Sequence, residues 1–101
     1  MSLTDLIDHL RERRPMYVLD DHYLTLVAFI DGYNSAHAPQ SPLRDFGTWL
    51  AHRLTNGPSS LHWAAQVAAI QGGRTIQDLT FEQEQVACAH ALNLIDEFLE
   101  R

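Results

Sequence analysis

Five stretches of this chain repeat apolar residues at helical spacing, and none alternates them. Spacing of i, i+3, i+4 and i+7 gathers apolar side chains on one side of a helix; in a strand it would scatter them over both faces. The first stretch, Leu3, Leu6, Ile7 and Leu10, follows a Ser2 or Thr4 cap and stops at Pro15, because proline disfavours helix in the residue before it. After a short apolar piece, Met16 to Leu19, Asp20 or Asp21 is placed to cap a second helix over roughly 22–36. Its apolar residues Tyr23, Leu26, Val27, Ile30 and Tyr33, with Leu24, Ala28 and Phe29 on the flanks, cover so much of the circumference that a central position is expected. Asn34 falls inside that stripe and requires a hydrogen-bond partner.

Ser41-Pro42 reads as a cap with proline at the first helical position, opening a third helix with Leu43, Phe46, Gly47, Leu50 and Leu54 inward. Gly47 on that side is expected to let another helix come close, and Asn56-Gly57-Pro58 ends the run. Ser59 or Ser60 then caps a fourth helix that stops at Gly72-Gly73. Trp63, Val67 and Ile70 form one side of it, and Ala64, Ala65 and Ala68 make a thin opposite side. Thr80 and Gln83 have capping-box spacing ahead of a fifth helix that buries Phe81, Cys88, Leu92, Ile95 and Leu99, widened by Ala91 and Phe98. Short loops between unequal helices predict an all-α fold, a compact orthogonal bundle of about five helices in one domain over residues 1–101.

Chemistry is harder to find. The six histidines form neither a His-x-x-x-His pair nor a His-Glu-x-x-His motif, and Cys88 and His90 point to different sides of one helix, so no metal site is expected. Cys88 lies on an apolar stripe, where a thiol behaves as a small hydrophobe, and the serines stand at capping positions. An enzyme pocket would have to draw on residues such as Asp21, His22 and Tyr33, with no base–nucleophile pair evident; no catalytic residue and no cofactor are assigned. Glu84 faces inward in the first turn of the fifth helix, toward a helix N-terminus or a neighbouring arginine. The first residues start an amphipathic helix rather than a signal peptide. The longest apolar run, near Leu26 to Ile30, is far too short to cross a bilayer. A single cysteine fits a reducing, cytoplasmic setting.

Charge is the one functional hint. The chain carries a net charge of −6, all seven of its basic residues being arginine, which disfavours nucleic acid as a partner and favours a basic protein. Asp96, Glu97 and Glu100 crowd the C-terminal turns of the last helix, against the helix dipole, whereas the first helix obeys it, with Asp5 and Asp8 early and Arg11, Arg13 and Arg14 late. An acidic docking face is therefore expected from Asp20, Asp21, Asp31, Asp45, Asp96, Glu97 and Glu100, with Trp49, at the margin of its stripe, as an aromatic anchor.

Three stretches carry a resemblance. They are Arg14-Pro15-Met16-Tyr17-Val18-Leu19, Leu26-Val27-Ala28-Phe29-Ile30-Asp31-Gly32-Tyr33 and Leu94-Ile95-Asp96-Glu97-Phe98, with Phe46, Trp49 and Trp63 at comparable aromatic positions. Together they resemble a group of small bacterial all-helical proteins, some of which are similar to the immunity proteins of polymorphic toxins. The chain departs from that pattern in lacking a small residue between Pro15 and Met16. The resemblance implies a non-catalytic cytoplasmic binding protein that neutralises a cognate toxin domain by covering its active site. The alternative is a small self-associating structural or regulatory subunit, a homodimer joined through the second helix and the alanine side of the fourth.

Overall fold

A computed structural model describes residues 2–13, 22–59, 61–70 and 76–101. Five α-helices follow one another: α1 (Leu3–Arg13), α2 (Tyr23–Ala36), α3 (Phe46–Thr55), α4 (Trp63–Ile70) and α5 (Phe81–Glu100), with a 3₁₀ turn at Ile76–Asp78 and no strand among the described residues. The radius of gyration, 13.0 Å, is that of a compact chain of this size. No helix among the described residues is long and apolar enough to cross a membrane.

Helix α5 holds the bundle together. It packs against α1, α2, α3 and α4, while α3 also rests on α4. Its Ala87, Cys88, Ala91, Leu92, Leu94, Ile95 and Phe98 are buried, and small residues on one side let the shorter helices approach. The apolar girth of α2 points to a central helix, yet α5 takes that place. Tyr23, Leu26, Val27 and Ile30 of α2 are buried, whereas Leu24, Ala28, Gly32 and Ala36, one turn apart, remain exposed. Besides α5, α2 meets α4, where the Tyr23 hydroxyl donates to the Ala64 carbonyl and Asp31 accepts from Trp63, and the row it leaves exposed runs from Leu24 to Ala36.

Helix starts explain most of the other differences. Ser2 caps α1 as a reciprocal box: the Asp5 N–H donates to Ser2 Oγ and the Ser2 N–H to an Asp5 carboxylate oxygen, both at 3.2 Å. Thr80 and Gln83 form the box expected of them at the head of α5. Asp20 and Asp21, the expected caps of α2, lie outside the described residues, as do Met16 to Leu19. At the start of α2, His22 makes no side-chain cap; Glu84 of α5 supplies a carboxylate oxygen to the Tyr23 N–H at 3.1 Å. Helix α3 begins at Phe46 rather than behind Ser41-Pro42, because Asp45 adopts a left-handed conformation (φ 65°) that no α-helix continues through. Leu43 is still buried, in the turn before it, and its N–H donates to Asn34 Oδ1 at 2.7 Å, the partner Asn34 requires.

Helix α4 starts at Trp63, since Ser59 Oγ accepts from the Leu61 N–H instead of capping a helix. His62 takes over the cap: its Nδ1 accepts from the Ala64 N–H at 3.1 Å. The expected stop at Gly72-Gly73 lies outside the described residues. Phe81 is not buried but 53% exposed, because it stands in the first turn of α5, beyond the edge of the core; its ring meets the edge of His22. A Cβ built on Gly47 would meet nothing within 4 Å, so that glycine mediates no close helix approach.

Candidate functional site

Aromatic side chains from three helices form a continuous run. Phe46 is the hub, with ring centroids 5.6 Å from Trp63, 6.0 Å from Trp49 and 5.2 Å from Phe98, and Trp49 meets Phe98 at 5.4 Å. The Arg101 guanidinium lies 4.1 Å over the Phe98 ring. These contacts bring the start of α3 beside the end of α5. Trp49 is half-buried there, with Asp45 exposed one turn before it and Glu97 and Glu100 exposed on the facing helix. Of the residues expected to meet a partner, Asp45 and Trp49 thus stand at the start of α3, and Glu97 and Glu100 in the last turns of α5.

Asp20 and Asp21 lie outside the described residues, and Asp31 and Asp96 are placed differently. Asp31 stands at the other end of the aromatic run, where Trp63 Nε1 donates to its Oδ1 at 2.9 Å and His62 Nε2 lies 3.1 Å from its Oδ2. Because His62 Nδ1 is already an acceptor, the proton of the neutral ring sits on Nε2 and is donated to Asp31. Both Asp31 oxygens are thus committed to holding α4 against α2. Asp96 faces α1, 2.5 Å from Arg11, which also reaches Asp8 and Asn93. Glu97 accepts from Arg53 Nε at 2.7 Å, and its carboxylate raises the Arg53 guanidinium above its ordinary value. The acidic end of α5 is therefore partly neutralised from within: the dipole rule it breaks is offset by arginines of α1 and α3.

Cys88 is buried in the core. Tyr23 is fully buried, donates its O–H to the Ala64 carbonyl at 2.7 Å, and has its ionisation pushed far up, first by burial and then by Cys88 and Asp31. His22 and Tyr33 stand at opposite ends of α2, roughly 16 Å apart at 1.5 Å per residue, so they do not line one pocket. Among the described residues, no group of three or more His, Cys, Asp or Glu side chains is placed to hold a metal ion.

No family model, curated protein or solved structure matches this chain.

A second surface lies beyond the residues that the sequence singles out. Two shallow grooves, about 420 and 260 Å³, lie on either side of Leu54 and Ile70, which line both. The larger runs under Pro58, Leu61 and Ala69; the smaller is bounded by Arg53, His90, Leu94 and Glu97. Leu61 and Ile70 are 54% and 43% exposed. The sequence does carry a signal for this surface, but it points inward. Ile70 continues the side of α4 that begins with buried Trp63 and Val67, yet is itself exposed. Beneath this surface the buried amide of Gln66 is satisfied by donating to the carbonyls of Leu61 (3.0 Å) and Gly47 (3.2 Å).

Proposed function

We propose that this chain is a non-catalytic binding protein, an immunity protein that neutralises a bacterial toxin domain by covering its active site. The observation that carries the reading is the contact between the start of α3 and the end of α5, where half-buried Trp49 meets Phe98 and the exposed side chains of Asp45, Glu97 and Glu100 belong to the same two helix ends. An aromatic that is rigidly backed yet open on one side is the kind of residue that dominates binding energy at interfaces. Carboxylates around it attract a basic partner, and the net charge of −6 steers encounter from a distance. Asp31, Asp96 and Glu97 are engaged by Trp63, Arg11 and Arg53, so among the described residues the acids left for docking beside Trp49 are Asp45 and Glu100.

Co-expression with the toxin domain encoded beside it tests this reading. The chain protects the producing cells, and the pair co-purifies at low salt and weakens as salt screens the carboxylates. Glu100→Arg, on an exposed side chain in the last turn of α5 where a positive charge suits the helix end, lowers affinity about tenfold or more while the fold is unchanged. Absence of both protection and complex at low salt overturns it.

A further inference from the structure

The first turn of α4 is tied down by a group that changes its protonation state near neutral pH. Ala64 is buried, and as the second residue of its helix it has no carbonyl within the helix to donate to. Its N–H has one partner among the described residues, His62 Nδ1, at 3.1 Å. A cap of this kind is ordinarily a hydroxyl, carboxylate or carboxamide oxygen, which accepts on either side of neutrality. An imidazole nitrogen does not, because in the charged ring both nitrogens are donors. The Nδ1 proton then faces the Ala64 N–H, donor against donor. A positive charge also stands at a helix N-terminus, where the dipole disfavours it.

Asp31 of α2 pulls the other way. Its Oδ2 lies 3.1 Å from His62 Nε2 and attracts the ring more strongly once the ring is charged. That pair is open to solvent, with side chains 55% and 39% exposed, and an exposed ion pair contributes little. It also holds the ring by Nε2 and offers the Ala64 N–H nothing in place of Nδ1. Other groups meet here from each neighbouring helix. The Tyr23 hydroxyl of α2 donates to the Ala64 carbonyl, the buried Cys88 of α5 lies close enough to Tyr23 to oppose its ionisation, and the Phe46 ring of α3 packs on Trp63. None of these gains a charge as the pH falls. Glu84 of α5 and Arg53 of α3 are engaged elsewhere, at the start of α2 and with Glu97. We propose that His62 is a pH-sensitive latch on α4: the neutral ring caps the helix and bridges it to α2, and the charged ring lets go of the Ala64 N–H and frees the first turn. A second histidine supplies the contrast. His37 closes α2, and its Nδ1 lies 2.8 Å from the Tyr33 carbonyl. A carbonyl only accepts, so that Nδ1 carries a proton in both states and the bond survives protonation.

Nuclear magnetic resonance of the nitrogen-15-labelled full chain between about pH 8 and about pH 5 tests the proposal; the window crosses the ordinary imidazole range and stays above the carboxylate one. In the neutral rings the proton is found on Nε2 of His62 and on Nδ1 of His37. As the His62 ring titrates, the protection of the Ala64 amide against hydrogen exchange, taken relative to the unstructured rate at each pH, falls about fivefold or more, as for a lost cap. His62→Asn keeps a capping oxygen and abolishes that pH dependence, and His62→Ala shows the low protection at every pH. A neutral His62 ring with its proton on Nδ1, an Ala64 protection that does not follow the titration of the ring, or the same fall in His62→Asn overturns the proposal. None of these outcomes touches the docking reading, which concerns the start of α3 and the end of α5.

Discussion

Glu84 is the clearest case of a side chain doing at a distance what a local cap would do. It belongs to the first turn of α5, is 15% exposed, and spans to the start of α2, where one carboxylate oxygen accepts from the Tyr23 N–H and the other lies 3.2 Å from His22 Nδ1. A hydrogen bond to a charged acceptor contributes about 1.5–3 kcal/mol, and a carboxylate at a helix N-terminus about 0.3–1 kcal/mol, part of which Glu84 gains from α5 itself. Glu84→Ala is therefore expected to cost about 2 kcal/mol. Glu84→Gln, which keeps an acceptor and loses the charge, costs about 1 kcal/mol. Equilibrium urea denaturation reads this directly: with a slope of about 1 kcal/mol per molar for a chain of this length, the midpoints fall by about 2 M and about 1 M. Glu82→Ala is the control. It removes an exposed carboxylate from the same turn of α5 without the reach to α2, and costs a few tenths of a kcal/mol, about the value of a surface helix-end charge. If Glu84→Ala costs no more than Glu82→Ala, the cross-helix cap contributes nothing and the account of how α2 begins is wrong.

Two further expectations concern helix chemistry. Gly32 lies within α2, exposed, and a methyl group added there would meet nothing within 4 Å, so Gly32→Ala raises stability by up to about 1 kcal/mol and the melting temperature by about 4–8 °C; a lower melting temperature refutes it. Asp5 is held below its ordinary value of 3.8, chiefly by the backbone N–H of Ser2 and then by its hydroxyl. A depressed carboxylate contributes its stabilisation above the unfolded value and loses it as pH falls through the folded one, so the cap of α1 weakens only below about pH 4. A carbon-13 titration of the Asp5 carboxyl shows the low midpoint, and Ser2→Ala moves it up.

The helices are largely legible in the sequence because their apolar period survives in the fold. Leu3, Leu6, Ile7 and Leu10 are all buried, as are Cys88, Leu92 and Ile95, and the Thr80–Gln83 box forms. What local pattern does not carry is partnership between distant segments. Nothing near residue 22 announces that its helix is capped by residue 84, and nothing in Ser59 says that its hydroxyl turns to Leu61 while His62 caps α4. The left-handed Asp45 is equally silent, since aspartate is as common before a regular helix start. The acidic end of α5 is visible as composition, but its arginine partners come from α1 and α3, so its neutralisation is not. Ile70 shares the period of buried Trp63 and Val67 yet is exposed, which the spacing alone does not reveal.

The position of α5 has a consequence for how the chain comes into being. On a ribosome, α1 to α4 emerge before the helix on which they all lean. Helices α3 and α4 have each other to rest on, but α1 and α2 carry their apolar stripes into water with their main support still unmade. Until α5 has been made those stripes are open greasy surface, and a growing chain at that stage is a natural client for chaperones.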